Sequence, residues 1–178
     1  MGIFNRQLLS RQDLIYGFAI SALPIHLWSI FVLLHEAPGW ILRLSLWELI
    51  GAVAYTQAFA LFESILLVLF LAALSLLIPA KLYRHKFIAQ STSFLLITTI
   101  WLILFRLFED KIDAWGTAPL ILLVLVYFVS LGIFTFLVLR SARFEKALIA
   151  FVQRASVLVF IYVMVDVISI FIIVFRNI

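Results

Sequence analysis

The chain has 178 residues, 66% of them hydrophobic and 12% charged, against about 45–50% and about 25% in soluble domains. A soluble fold of this size could not bury that much apolar surface. A bilayer can hold it, provided the backbone polar groups are satisfied within helices or a closed barrel. The net charge of +4 needs no nucleic acid to explain it, because basic loops beside a membrane account for it and would attract anionic lipid head groups. The lack of cysteine excludes disulfides, thiolate metal sites, iron–sulfur clusters and cysteine nucleophiles.

The apolar runs are continuous rather than alternating, which indicates helices instead of barrel strands. The expected fold is an all-α, polytopic membrane helical bundle: one membrane domain with five transmembrane helices and short interfacial amphipathic segments. Crossing about 30 Å of hydrocarbon takes roughly 20 apolar residues. Residues 14–34 supply 21 without a formal charge. That run exceeds the h-region of a signal peptide, about 7–15 residues, and no A-x-A site follows it, so it is expected to stay as the first span. Gly2 is not set for myristoylation, because Arg6 stands where serine or threonine is needed.

Trp40, Leu44, Trp47 and Ile50 recur at three- and four-residue spacing, which predicts a helix over residues 40–50 lying in the membrane interface. The second span is placed at residues 52–78. Glu63 is its one charge, and Pro79 is its stop, because a residue before proline is pushed out of the helical region. Residues 87–105 and 117–139 form uncharged third and fourth spans, and residues 155–175 form a fifth whose only charge is Asp166. Ahead of the fifth, Phe144, Leu148, Phe151 and Val152 mark an amphipathic approach helix that ends at Arg154.

Basic residues set the expected orientation. With the N-terminus inside, the cytoplasmic segments hold eight (Arg6, Arg11, Lys81, Arg84, Lys86, Arg140, Arg143 and Lys146), and the outer ones hold three (Arg43, Lys111 and Arg176). That bias predicts a multi-pass cell-membrane protein with a cytoplasmic N-terminus and an external C-terminus. Glu109, Asp110 and Asp113 then form an outer acidic loop. Trp28, Trp40, Trp47, Trp101 and Trp115 all fall toward the outer side, like one half of an aromatic belt.

Some residues are too costly in a membrane to be incidental. An aspartate at mid-span costs about 2.5–3.5 kcal/mol. The 15 valine, isoleucine, leucine and phenylalanine residues of 155–175 supply about −4.5 to −9 kcal/mol, so the helix inserts regardless. Tyr162, Asp166 and Ser169 share one helical face, as do Ala52, Thr56, Ala60 and Glu63. Both stripes are expected to point inward, with Thr56 free to bond across helices. In the first span His26 follows Pro24, and Ser29 lies one turn on. At 1.5 Å per residue, Asp166 lies about 16 Å, His26 about 18 Å and Glu63 about 22 Å from the inner edge. Thr92, Thr99 and Arg106 form a third stripe, and Arg106 can turn outward to Glu109 or down toward an acid. The candidate polar site is therefore Asp166, Glu63, His26, Arg106, Tyr162, Ser169, Thr56 and Thr99, with Asp166 and Glu63 in one internal site.

Specific chemistries find no support. His35-Glu36 opens like a zinc-protease motif, but no second histidine follows. Bis-histidine haem needs two facing intramembrane histidines, and only His26 qualifies. No lysine lies within a span to carry a Schiff base, no pair of intramembrane aspartates is present, and no P-loop, GxGxxG or GxSxG occurs. The expectation is a protein without cofactor or metal. Three classes of function remain: a non-catalytic membrane-embedded subunit or assembly partner, working with another membrane protein or as a homo-oligomer; a small proton- or cation-coupled transporter or channel; and a lipid-modifying enzyme.

Overall fold

A computed structural model of the chain describes residues 9–80, 83–113 and 116–178, the side chains of Asp110 and Asp113 excepted. Arg6, Lys81 and Trp115 lie outside the described residues. The described chain is all α: α1 (Arg11–Ile41), α2 (Leu46–Leu77), α3 (Phe87–Leu107), α4 (Glu109–Asp113), α5 (Thr117–Arg140) and α6 (Ala142–Asn177), with one 3₁₀ turn at Arg84–Lys86. Five of these, all but α4, are long and apolar enough to cross a membrane.

Helix starts follow from local capping chemistry. The Ser10 hydroxyl accepts from the Asp13 N–H at 3.1 Å, and the Asp13 carboxylate accepts from the Ser10 N–H at 3.0 Å, a reciprocal pair that satisfies two donors at the head of α1. The same device starts α2, where the Ser45 N–H donates to Glu48 at 2.8 Å and the Glu48 N–H to the Ser45 hydroxyl at 3.4 Å. This second cap overturns the interfacial helix expected over residues 40–50. α1 runs through Pro38 to Ile41, a short turn follows, and α2 starts at Leu46. The helical spacing of Trp40, Leu44, Trp47 and Ile50 therefore straddles a turn. α2 ends at Leu77, just before Pro79. Two further boundaries differ from expectation. The expected acidic loop is one short helix, α4, and the approach segment before the fifth span is continuous with it in α6.

The chain forms two compact units, Met1–Leu74 with Val152–Ile178, and Ser75–Phe151. In the second, α3 and α5 run antiparallel and are tied along their length. Gln90 donates to the Thr135 carbonyl at 3.3 Å, the Thr98 and Tyr127 hydroxyls meet at 3.0 Å, and the Trp101 indole donates to Ser130 at 3.2 Å. Ala89, Val138 and Leu148 form a small core, with Leu96, Phe144 and Ile149 packed on it. Tyr83 bonds Ser91 at 2.8 Å, and burial pushes its phenol up to about 12, so the hydroxyl keeps its proton.

Lys86 closes the end of α5. Its ammonium donates to the Val138 carbonyl at 2.8 Å and to that of Leu139 at 3.4 Å, and pairs with Glu145 at 2.7 Å. The last carbonyls of a helix have no partner within the helix, so a lysine here supplies both hydrogen bonds and a favourable charge. Lys86→Met is expected to lower stability by about 1 kcal/mol, and Glu145→Gln by less than about 0.5 kcal/mol because that pair is partly exposed. Thermal unfolding in detergent measures both, and equal effects would contradict the capping role.

Candidate functional site

The unit that contains α1, most of α2 and the C-terminal part of α6 from Val152 onward holds a buried polar cluster. Each pair of its helices is joined by polar contacts. His26 of α1 meets Asp166 of α6, and Gln57 of α2 donates to Ser29 of α1 at 3.2 Å. At the far ends of α2 and α6, Arg176 donates to the Trp47 carbonyl at 3.3 Å and Asn177 to the Tyr55 hydroxyl at 2.9 Å. Arg176 lies over Gly51, where any Cβ would meet its guanidinium.

His26 and Asp166 are the centre of the cluster, each only 1% exposed. The ring Nδ1 lies 2.9 Å from the Ala22 carbonyl, one turn back on its own helix. A carbonyl can only accept, so Nδ1 carries a hydrogen. Nε2 is left to face Asp166, 3.1 Å from Oδ1 and 3.2 Å from Oδ2. Tyr162, one turn before Asp166, stacks on the imidazole with ring centroids 4.8 Å apart and planes 16° apart. Ser169, the next residue along this face of α6, is also buried. Pro24, two residues before His26, lies within α1. It has no N–H to give the Ile20 carbonyl, which weakens the helix at the level of the pair.

The other expected site residues lie elsewhere. Glu63 is exposed, so the structure does not put it in one internal site with Asp166. Thr56 does not bond across helices; its hydroxyl donates to the Ala52 carbonyl of its own helix at 2.9 Å. The reason is angular. The buried line of α2 passes through Gly51, Ala54, Gln57, Ala60 and Ser64, and each residue step turns about 100°, which carries Glu63 off that line. Arg106 is exposed, pairs with Glu109, and belongs to the Ser75–Phe151 unit, as does the half-buried Thr99.

No family model, curated protein or solved structure matches this chain. Its chemistry therefore rests on its own geometry. Among the described residues no group of three or more histidine, cysteine, aspartate or glutamate side chains is placed to hold a metal ion. The His26–Asp166 pair has two arrangements of equal net charge, imidazolium with carboxylate or imidazole with carboxylic acid, and in each a hydrogen lies between Nε2 and the carboxyl group.

Gln57 is the member of this cluster that lies on none of the polar stripes expected from the sequence. Its signal lies in the run of small and polar residues at Gly51, Ala54, Gln57, Ala60 and Ser64 within an otherwise bulky apolar segment. Small residues on one face let helix backbones approach, and an amide among them can bond across.

Proposed function

We propose that this chain is a membrane-embedded assembly partner, which packs against another integral membrane protein through the face of α2 that carries Glu63. The observation behind this reading is the position of Glu63 itself. It sits midway along a 32-residue apolar helix, exposed, with no side-chain partner among the described residues. A carboxyl group facing lipid at that depth costs a few kcal/mol, and a partner that supplies a hydrogen-bond donor or a cation removes that cost. Phe59, Phe62 and Leu66 flank it and are exposed as well, an apolar surround for a polar contact. The partner is therefore a transmembrane helix bearing a basic or donor side chain at mid-depth. α5, on which only Val138 is buried among the described residues, offers further apolar surface to lipid.

In this reading the protein is multi-pass in the cell membrane, with the α1 start on the cytoplasmic side and the α6 end outside. The basic residues Arg84, Lys86, Arg140, Arg143 and Lys146 then meet anionic head groups.

Because the chain lacks cysteine, single substitutions Phe59→Cys, Phe62→Cys and Leu66→Cys give clean cross-linking sites. Cross-linking in native membranes followed by extraction in mild detergent is expected to trap one stoichiometric membrane protein at these sites and none at Ile121→Cys on α5. A chain that extracts alone and cross-links to nothing from α2 would overturn the proposal, and capture only of a second copy would replace the separate partner with a homo-oligomer.

A further inference from the structure

We propose that His26 and Asp166 form a one-proton binding site, shut in this structure, whose release of the proton is coupled to the parting of α1 from α6 at the Pro24 position. The ligand is the proton itself, exchanged with water.

The geometry limits what the pair can hold. Nδ1 of His26 is committed to the Ala22 carbonyl at 2.9 Å, so only Nε2 and the Asp166 oxygens, 3.1 and 3.2 Å away, are left to exchange. Moving the proton within the pair breaks an N–H bond, forms an O–H bond and leaves the net charge at zero. Passing it to water leaves a carboxylate beside a neutral imidazole, net −1, and accepting a second proton leaves net +1. With both side chains 1% exposed, either state would be an uncompensated charge out of reach of water, which burial strongly opposes. The proton can leave only if water arrives.

The surroundings indicate how water arrives. Around the pair, α6 contributes Tyr162 and Ser169, α1 contributes Ser29, and α2 contributes Gln57 bonded to Ser29. Tyr162 is the one titratable group of that set, and no other charged side chain among the described residues bonds to the pair. Glu63, the other acid of the apolar spans, is exposed on α2. The helix bearing His26 is weakened at Pro24, where an N–H is missing. A bend there moves His26 away from Asp166 and opens the neutral polar groups Ser29 and Gln57 to solvent.

Cysteine accessibility in the full chain, reconstituted in lipid nanodiscs, tests the coupling. Ser169→Cys lies on the buried face beside Asp166, and Asn177→Cys is an exposed reference that corrects for thiol ionisation. The ratio of their labelling rates with a small maleimide is expected to rise about tenfold as the buffer is made more alkaline and the proton leaves. Added Asp166→Asn, which cannot ionise, should make the ratio flat with pH, and added Pro24→Ala should reduce the rise. A ratio that is flat with native Asp166, or that rises equally with Asp166→Asn, would overturn the proposal. Nitrogen NMR of the unsubstituted protein, with His26 assigned by its loss in His26→Gln, checks the site without relying on a folded Asp166 variant. A protonated Nδ1 at neutral pH is expected, and a bare Nδ1 would refute it.

Discussion

Asp166→Leu and His26→Leu should each destabilise the protein by about 1–3 kcal/mol, while the variant carrying both should be more stable than either. Each single substitution leaves one buried polar group behind. Removing the carboxyl strands Nε2 of a ring that is 1% exposed and stacked under Tyr162. Removing the imidazole strands a carboxyl with the same burial. A polar group left buried without a partner retains its desolvation penalty, whereas replacing both partners by apolar groups removes the penalty with the bond. The effect should exceed the average of about 0.6 kcal/mol for interhelical bonds in membranes, because Nε2 lies within reach of both carboxyl oxygens. Asp166→Asn keeps a donor and an acceptor in place and should cost less than about 1 kcal/mol. A double-mutant cycle read by unfolding in detergent gives the coupling, expected at about 1 kcal/mol or more. Strictly additive losses would mean that the two residues do not act as a pair.

That pairing shows where one-dimensional reading succeeds and stops. The five spans are legible because their length and hydropathy are properties of contiguous sequence, and a run of about 20 apolar residues has few other fates. Asp166 stands out in the same way, as an expensive residue in an otherwise apolar helix. Its partner does not. His26 is 140 positions away, and which helix faces which is written in the packing of several helices at once. Depth arithmetic places His26 and Asp166 within about 2 Å of the same level and Glu63 only about 4–6 Å from it, roughly one helical turn. What separates Glu63 from the pair is rotation about the axis of α2. The choice of the stripe Ala52, Thr56, Ala60 and Glu63 over its neighbour through Ala54, Gln57 and Ser64 decided which side looked buried. The turn at Leu42–Ser45 was legible, in principle, from Ser45 and Glu48 at capping-box spacing. The apolar periodicity running through it was simply a stronger pattern.

Glu63→Lys should abolish assembly with the membrane partner proposed for this face of α2 while leaving the isolated chain folded. The side chain is exposed, so its replacement disturbs no internal contact. The surrounding leucine and phenylalanine residues of α2 are numerous enough to insert one cation as they insert one acid. At the interface the sign matters. If Glu63 meets a cation, lysine turns an attraction into a repulsion in a poorly screened environment, and like charges juxtaposed there cost several kcal/mol. A loss of about 3 kcal/mol corresponds to a drop in affinity of roughly 100-fold, enough to remove the partner from a detergent extract. Glu63→Gln separates the two forms of the contact, since it keeps a hydrogen bond to a neutral donor but gives up most of the attraction to a cation. The readout is the fraction of partner that co-purifies with each variant, alongside the unfolding temperature of the chain by itself. Full retention of the partner by Glu63→Lys would remove the reason for placing an interface on this face of α2.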